Sequence, residues 1–97
     1  MLIRVDIDNT ICITKGSDYR NCIPIKTAID KINKLFDEGH TIIYWTARGS
    51  GSGIEWTNHT EKQLDLWGCK RHGLICGKEK GSFDLIVDDK ARRIDEI

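Results

Sequence analysis

Apolar residues occupy nearly every second position from Leu2 to Ile7, and Ile and Val dominate there, which predicts a first strand. From Thr10 to Ile23 the pattern breaks: Gly16, Ser17, Asp18 and Asn21 mix with scattered apolar residues, as in a loop or a small irregular hairpin. Ile25, Ala28, Ile29, Ile32, Leu35 and Phe36 then recur at helical spacing and form one stripe. Pro24 suits the first turn of that helix, and Gly39 stands where a left-handed cap would end it. Thr41 to Trp45 is β-branched and aromatic, a second strand. Arg48 to Gly53 is rich in Gly and Ser and reads as a loop. Trp56, Thr60, Leu64 and Trp67 mark a second amphipathic helix over 54–67, ended by Gly68, with both tryptophans in packing positions. Leu74 to Cys76 is a weak third strand and Phe83 to Val87 a stronger fourth. Asp89 to Ile97 closes with a helical turn or two, Ile94 and Ile97 facing inward.

Strands that alternate with helices imply a parallel α/β sheet joined by right-handed crossovers. At 97 residues the chain fits one domain over 1–97, with no internal repeat and no low-complexity linker. Lys plus Arg and Asp plus Glu number 15 each, so the net charge is zero, which argues against a nucleic-acid binder. The opening apolar run is too short for a secretory signal, and Asp6 interrupts it. No stretch has the apolar length of a membrane span. Cys12, Cys22, Cys69 and Cys76 form no C-x-x-C pair, so reduced thiols in a cytoplasmic protein are expected.

Ligands of open parallel sheets bind beyond the carboxyl ends of the strands. There the first strand carries Asp6-Ile7-Asp8-Asn9-Thr10, the second Thr46-Ala47-Arg48, and the fourth Asp88-Asp89, with Lys78 and Lys80 following the third. Asp6 and Asp8 are two apart and share a face if the chain stays extended. Two like charges about 4 Å apart repel by roughly 4 kcal/mol at an effective dielectric of about 20. Such a cluster needs a cation, and an all-oxygen donor set suits Mg²⁺. Carboxylates, a hard cation and Lys or Arg around one site suggest phosphoryl transfer.

These segments resemble the motifs of the haloacid dehalogenase superfamily. Asp6-Ile7-Asp8-Asn9-Thr10 is similar to its D-x-D-x-T motif, Thr46 to its second motif, a Lys ahead of the last strand to its third, and Asp88-Asp89 to its fourth. The resemblance implies a three-layer Rossmann-like sheet with helices on both faces and a Mg²⁺-dependent phosphatase that works through an aspartyl-phosphate. Asp6 would be the nucleophile and Asp8 the general acid and base. Thr46 would bind the phosphate with Ala47, Arg48, Lys78 and Lys80 nearby. Asp6, the Asp8 carbonyl, Asp88 and Asp89 would hold the metal. Lys80, eight residues ahead of Asp88, is preferred over Lys78 as the motif lysine, and Asp89 over Asp88 as the direct ligand. Mg²⁺ and Mn²⁺ both remain open.

Residues 11–23 and 49–76 leave room for a flap and one helix but not for a cap domain, so the resemblance is to capless members. Those act on large substrates or self-associate to cover the site. The run Trp45 to Gly49 and the stretch Trp56 to Gly68 also resemble short phosphatases of bacterial capsule and surface-sugar synthesis, which implies a small phosphorylated substrate such as a phosphosugar. Tyr19 and Arg20 are placed to touch a leaving group, while His40, His59 and His72 are expected at the surface. Two rival readings stand beside this one. A receiver-like phosphoacceptor shares the Asp, Thr and Lys cluster, but places its Lys after the acidic residues. A non-catalytic binding domain of the same fold would not need every motif.

Overall fold

The computed structural model describes residues 1–49, 53–77 and 85–87. Among the described residues, four parallel strands form the sheet: β1 (Leu2–Asp6), β4 (Thr41–Thr46), β5 (Gly73–Cys76) and β6 (Leu85–Val87), in the order β5-β4-β1-β6. Between β1 and β4 lie a two-stranded antiparallel hairpin, β2 (Cys12–Ile13) with β3 (Ile23–Pro24), and helix α1 (Lys26–Asp37). Helix α2 (Thr57–Leu66) connects β4 to β5. This is the small α/β domain with a parallel, Rossmann-like sheet that the pattern predicts, and β1 is one of its two central strands.

The register sets Ile3 beside Ile42 and Val5 beside Tyr44 and Val87, so one face of the sheet carries five fully buried side chains. Ile29 and Ile32 of α1 and Leu64 of α2 join the same buried cluster. Both described helices therefore share a face, as two right-handed crossovers stepping in the same direction require. Burial of each such aliphatic side chain stabilises the fold by about 1.5–3 kcal/mol. Asn33 of α1 bonds both Gly68 and Lys70 beyond α2, which ties the two helices side by side. On the other face the Arg4 guanidinium lies 4.5 Å from the Trp45 ring centroid. The closing helix expected over 89–97, from which a second helical layer would come, lies outside the described residues.

Both helices end as their glycines predict. Gly39 has φ 98°, its N–H bonds the Phe36 carbonyl, and the His40 N–H reaches back to Leu35. Gly68 at φ 72° repeats the arrangement with Asp65 and Leu64. These are Schellman caps, for which glycine is suited because it carries no Cβ. The helix starts differ from expectation. Pro24 is not in the first turn of α1 but in β3, opposite Cys12, because Ile25 stays extended and gives its N–H to the Ile11 carbonyl. Helix α2 is shorter than its apolar period, with Trp56 and Trp67 as its two caps rather than interior residues. Among the described residues, no helix is long and apolar enough to cross a membrane.

Candidate active site at the carboxyl edge of the sheet

Asp6 is the last residue of β1 and lies opposite Trp45, one position before Thr46 closes β4. Its Oδ1 accepts the Ile7 N–H at 2.8 Å. The chain then turns sharply. Asn9 takes a left-handed conformation (φ 62°), which Asn tolerates better than most residues. The N–H groups of Thr10 and Ile11 both bond the Ile7 carbonyl, and the Asn9 side chain accepts the Thr14 N–H at 3.1 Å. The turn carries Asp8 off the strand and points its carboxylate at the hairpin.

There Asp8 meets Arg48. Arg48 Nε donates to Asp8 Oδ2 at 3.0 Å and Nη2 to Oδ1 at 2.7 Å, a two-bonded ion pair across the carboxyl ends of β1 and β4. Thr14 Oγ1 adds a 2.7 Å bond to Oδ1, and the Cys12 thiol lies 3.9 Å from the same oxygen. The Arg48 side chain is 0% exposed and that of Asp8 20%. Nη1 of Arg48 donates to Thr60 at 3.2 Å and to Gln63 Oε1 at 2.6 Å, both on α2, and Nη2 also faces the Cys22 sulfur at 3.7 Å. The Tyr19 ring stacks on the guanidinium with 4.7 Å from Cζ to the centroid. Burial works against the Arg48 charge, but the hydrogen bonds and the charge of Asp8 outweigh it, and its pKa is shifted upward.

Expected on an open loop with its cation free for substrate oxygens, Arg48 is instead buried, with all its N–H groups directed at protein acceptors. Thr46 is buried too, its Oγ1 accepting the Arg48 N–H at 3.2 Å, while Ala47 between them is exposed. Gly49 follows at φ 81°, where a Cβ would come within 2.0 Å of the Ile54 carbonyl oxygen, so only glycine fits this turn.

Tyr19 reaches the site through Arg48, and Arg20 stacks 5.6 Å from the Trp56 ring centroid. Trp56 packs edge-on against Tyr19 (5.0 Å) and His59 (5.3 Å), outside the core that its periodicity suggested. His59 is half-buried rather than a surface residue. The sequence did not single out Thr14 or Gln63. Thr60 and Gln63 are one helical step apart and so share a face, a spacing that presents them together to a residue arriving from β4.

Lys78, Lys80, Asp88 and Asp89, with Ser50 and Ser52, lie outside the described residues. Among those described, no three His, Cys, Asp or Glu side chains converge on a metal-sized gap, and all four cysteines are free. The acidic donors that are described, Asp6 and Asp8, suit a hard cation by their chemistry, but Asp8 spends its carboxylate on Arg48. A cation here therefore needs donors beyond the described set.

No protein-family model matches the chain, and neither does any curated protein. A crystal structure of a Vibrio cholerae protein superposes with a TM-score of 0.77 at 26% identity, over 99% of this chain and 86% of that one. Almost the whole chain thus shares that protein's small parallel α/β fold.

Proposed function

We propose that this protein is a Mg²⁺-dependent phosphomonoester hydrolase of the haloacid dehalogenase type, without a cap domain, acting through an aspartyl-phosphate on Asp6. The observation that carries the reading is that Asp6 and Thr46 end the neighbouring strands β1 and β4, with Asp8 two residues beyond Asp6, at the carboxyl edge of a parallel sheet whose order is β5-β4-β1-β6. Asp88 and Asp89 follow Val87 directly in sequence, and β6 neighbours β1, which supports assigning them to the same edge.

In this reading an Asp6 oxygen forms a bond to phosphorus as the bond to the leaving oxygen breaks, and Asp8 gives that oxygen a proton. Asp8 then takes a proton from the water that attacks the aspartyl-phosphate, releasing inorganic phosphate and restoring Asp6. Such acid–base help is worth about 10²–10⁴ in rate. Thr46 donates its hydroxyl to a phosphate oxygen, and Lys80, or Lys78 in its place, supplies the positive charge. A divalent cation held by Asp6, the Asp8 carbonyl and the Asp88-Asp89 pair would offset the charge of carboxylates and phosphate. A small sugar phosphate is the substrate class that the local sequence resemblance favours.

The test is turnover of p-nitrophenyl phosphate and a panel of sugar phosphates with Mg²⁺ or Mn²⁺ and with chelator. Expected are metal-dependent phosphate release by the wild type and its loss in Asp6→Asn. Full turnover by Asp6→Asn, or none by the wild type with any metal, would end the proposal.

A further inference from the structure

We infer that Arg48 is the positioning residue for Asp8, and that Oδ2 of Asp8 is the oxygen that carries the proton; this rests on the phosphatase reading above. Arg48 has five N–H groups, and the structure gives it five acceptors: both Asp8 oxygens, Thr60 Oγ1, Gln63 Oε1 and the Cys22 sulfur. With its side chain fully buried and every donor occupied, it has nothing left for a substrate. Among the described residues, the carboxylate it binds is that of Asp8. A guanidinium fork fixes the plane of the carboxylate it binds, which a lysine ammonium cannot do.

Lone pairs decide which oxygen is available. A carboxylate oxygen accepts about two hydrogen bonds. On Oδ1 both places are taken, by Arg48 Nη2 and Thr14 Oγ1 at 2.7 Å each, with the Cys12 thiol alongside. Among the described residues, Oδ2 is bound by Arg48 Nε alone, at 3.0 Å. The described residues therefore leave one lone pair of Oδ2 open, and a proton passing to a leaving group or from a water moves there. The direction of that lone pair is set by three elements that meet at Arg48: the hairpin through Tyr19 and Cys22, the loop after β4, and α2 through Thr60 and Gln63.

The effect of misplacing an acid depends on the leaving group. Phenyl phosphate expels a poor leaving group and needs the proton; p-nitrophenyl phosphate is similar in shape and expels a good one. Arg48→Lys keeps the charge and loses the fork. Its kcat/KM should fall by about 10²-fold on phenyl phosphate and by about threefold or less on p-nitrophenyl phosphate, because a good leaving group departs with little help from an acid. Wild-type turnover with equal losses on the two esters, or with none on either, overturns the positioning role alone. A wild type inactive on both overturns the phosphatase reading and this role with it. Should Arg48→Lys fail to fold, Thr14→Val removes a donor to the same carboxylate and must rank the two esters in the same order; equal losses there overturn the role.

Discussion

Gln63 Oε1 accepts a 2.6 Å hydrogen bond from Arg48 Nη1, so a neutral amide on α2 closes the hydrogen-bond shell of a buried cation in the loop after β4. The other end of the same amide donates to the Tyr19 carbonyl at 2.7 Å and lies 3.4 Å from the Cys22 sulfur. One side chain thus joins the helix, the loop and the hairpin around Asp8. Gln63→Leu keeps the approximate volume and removes all three contacts. A lost hydrogen bond to a charged group costs about 1.5–3 kcal/mol. The variant should unfold at a lower denaturant midpoint with an unchanged slope, since the surface exposed on unfolding is the same. A midpoint equal to the wild type's would show that the amide is not part of the support.

Asp6 and Asp8 are two residues apart, yet their removal should have different consequences. Among the described residues, Asp8 is the only carboxylate paired with Arg48. Breaking a buried pair by removing one partner costs about 3–5 kcal/mol, because the other charge is left without compensation. Asp8→Ala should therefore be both inactive and substantially destabilised, whereas Asp6→Asn, which keeps shape, should be inactive and close to wild type in stability. The double variant Asp8→Ala/Arg48→Met removes both charges and should regain part of the loss. Denaturation of the four proteins checks this; equal stability of Asp8→Ala and Asp6→Asn would contradict it.

The sequence yielded most where a local rule acts alone. The Ile29 and Ile32 stripe, the helix-ending glycines Gly39 and Gly68, and the acidic end of β1 all follow from spacing and backbone preference. It misled where a distant partner decides. Arg48 stands in a Gly/Ser-rich stretch and reads as solvated, because the carboxylate that buries it is forty positions earlier. Trp56 fits the apolar period but stands outside the core as the N-cap of α2, whereas Trp67, its C-cap, packs against the core as the period predicts. The small irregular hairpin expected over 10–23 does form, but its pairing of Cys12 with Pro24 has no two-residue turn to announce it, since the strands are joined through a 3-10 turn at Tyr19–Asn21.

The cysteines report on whether the hairpin stays packed over the site. Burial pushes the Cys12 thiol up to about 12, with Thr14 opposing, and burial pushes Cys69 up to about 11. The thiolate is the reactive form, and its fraction falls tenfold for each unit of pKa above the ambient pH. In the native protein at about pH 8, iodoacetamide should leave Cys12 and Cys69 unlabelled for as long as the fold persists, and urea should expose both. Peptide mass spectrometry resolves the four positions. Rapid native labelling of Cys12 would mean that β2 opens readily, and that Asp8 is not held as described.

His59 gives the fold a pH dependence with a definite sign. Burial, and then the positive charges of Arg48, Arg20 and Lys62, lower its pKa from the ordinary 6.5, partly offset by a hydrogen bond to the Tyr19 backbone. Below 6.5 the unfolded chain takes up a proton that the folded His59 resists, so the unfolded state binds more protons and stability rises with pH. The contribution is complete above 6.5 and is lost as pH falls through the lower folded value. Carboxylates elsewhere add their own slope, but they are the same in a His59→Gln variant, so the difference between the two proteins isolates the imidazole. Between about pH 7.5 and about pH 5.5 the wild type should lose more of its denaturant midpoint than His59→Gln, and Arg20→Gln should show an intermediate loss, because one of the repelling charges is gone. Parallel midpoint curves for the wild type and His59→Gln would remove His59 from the electrostatics of the site.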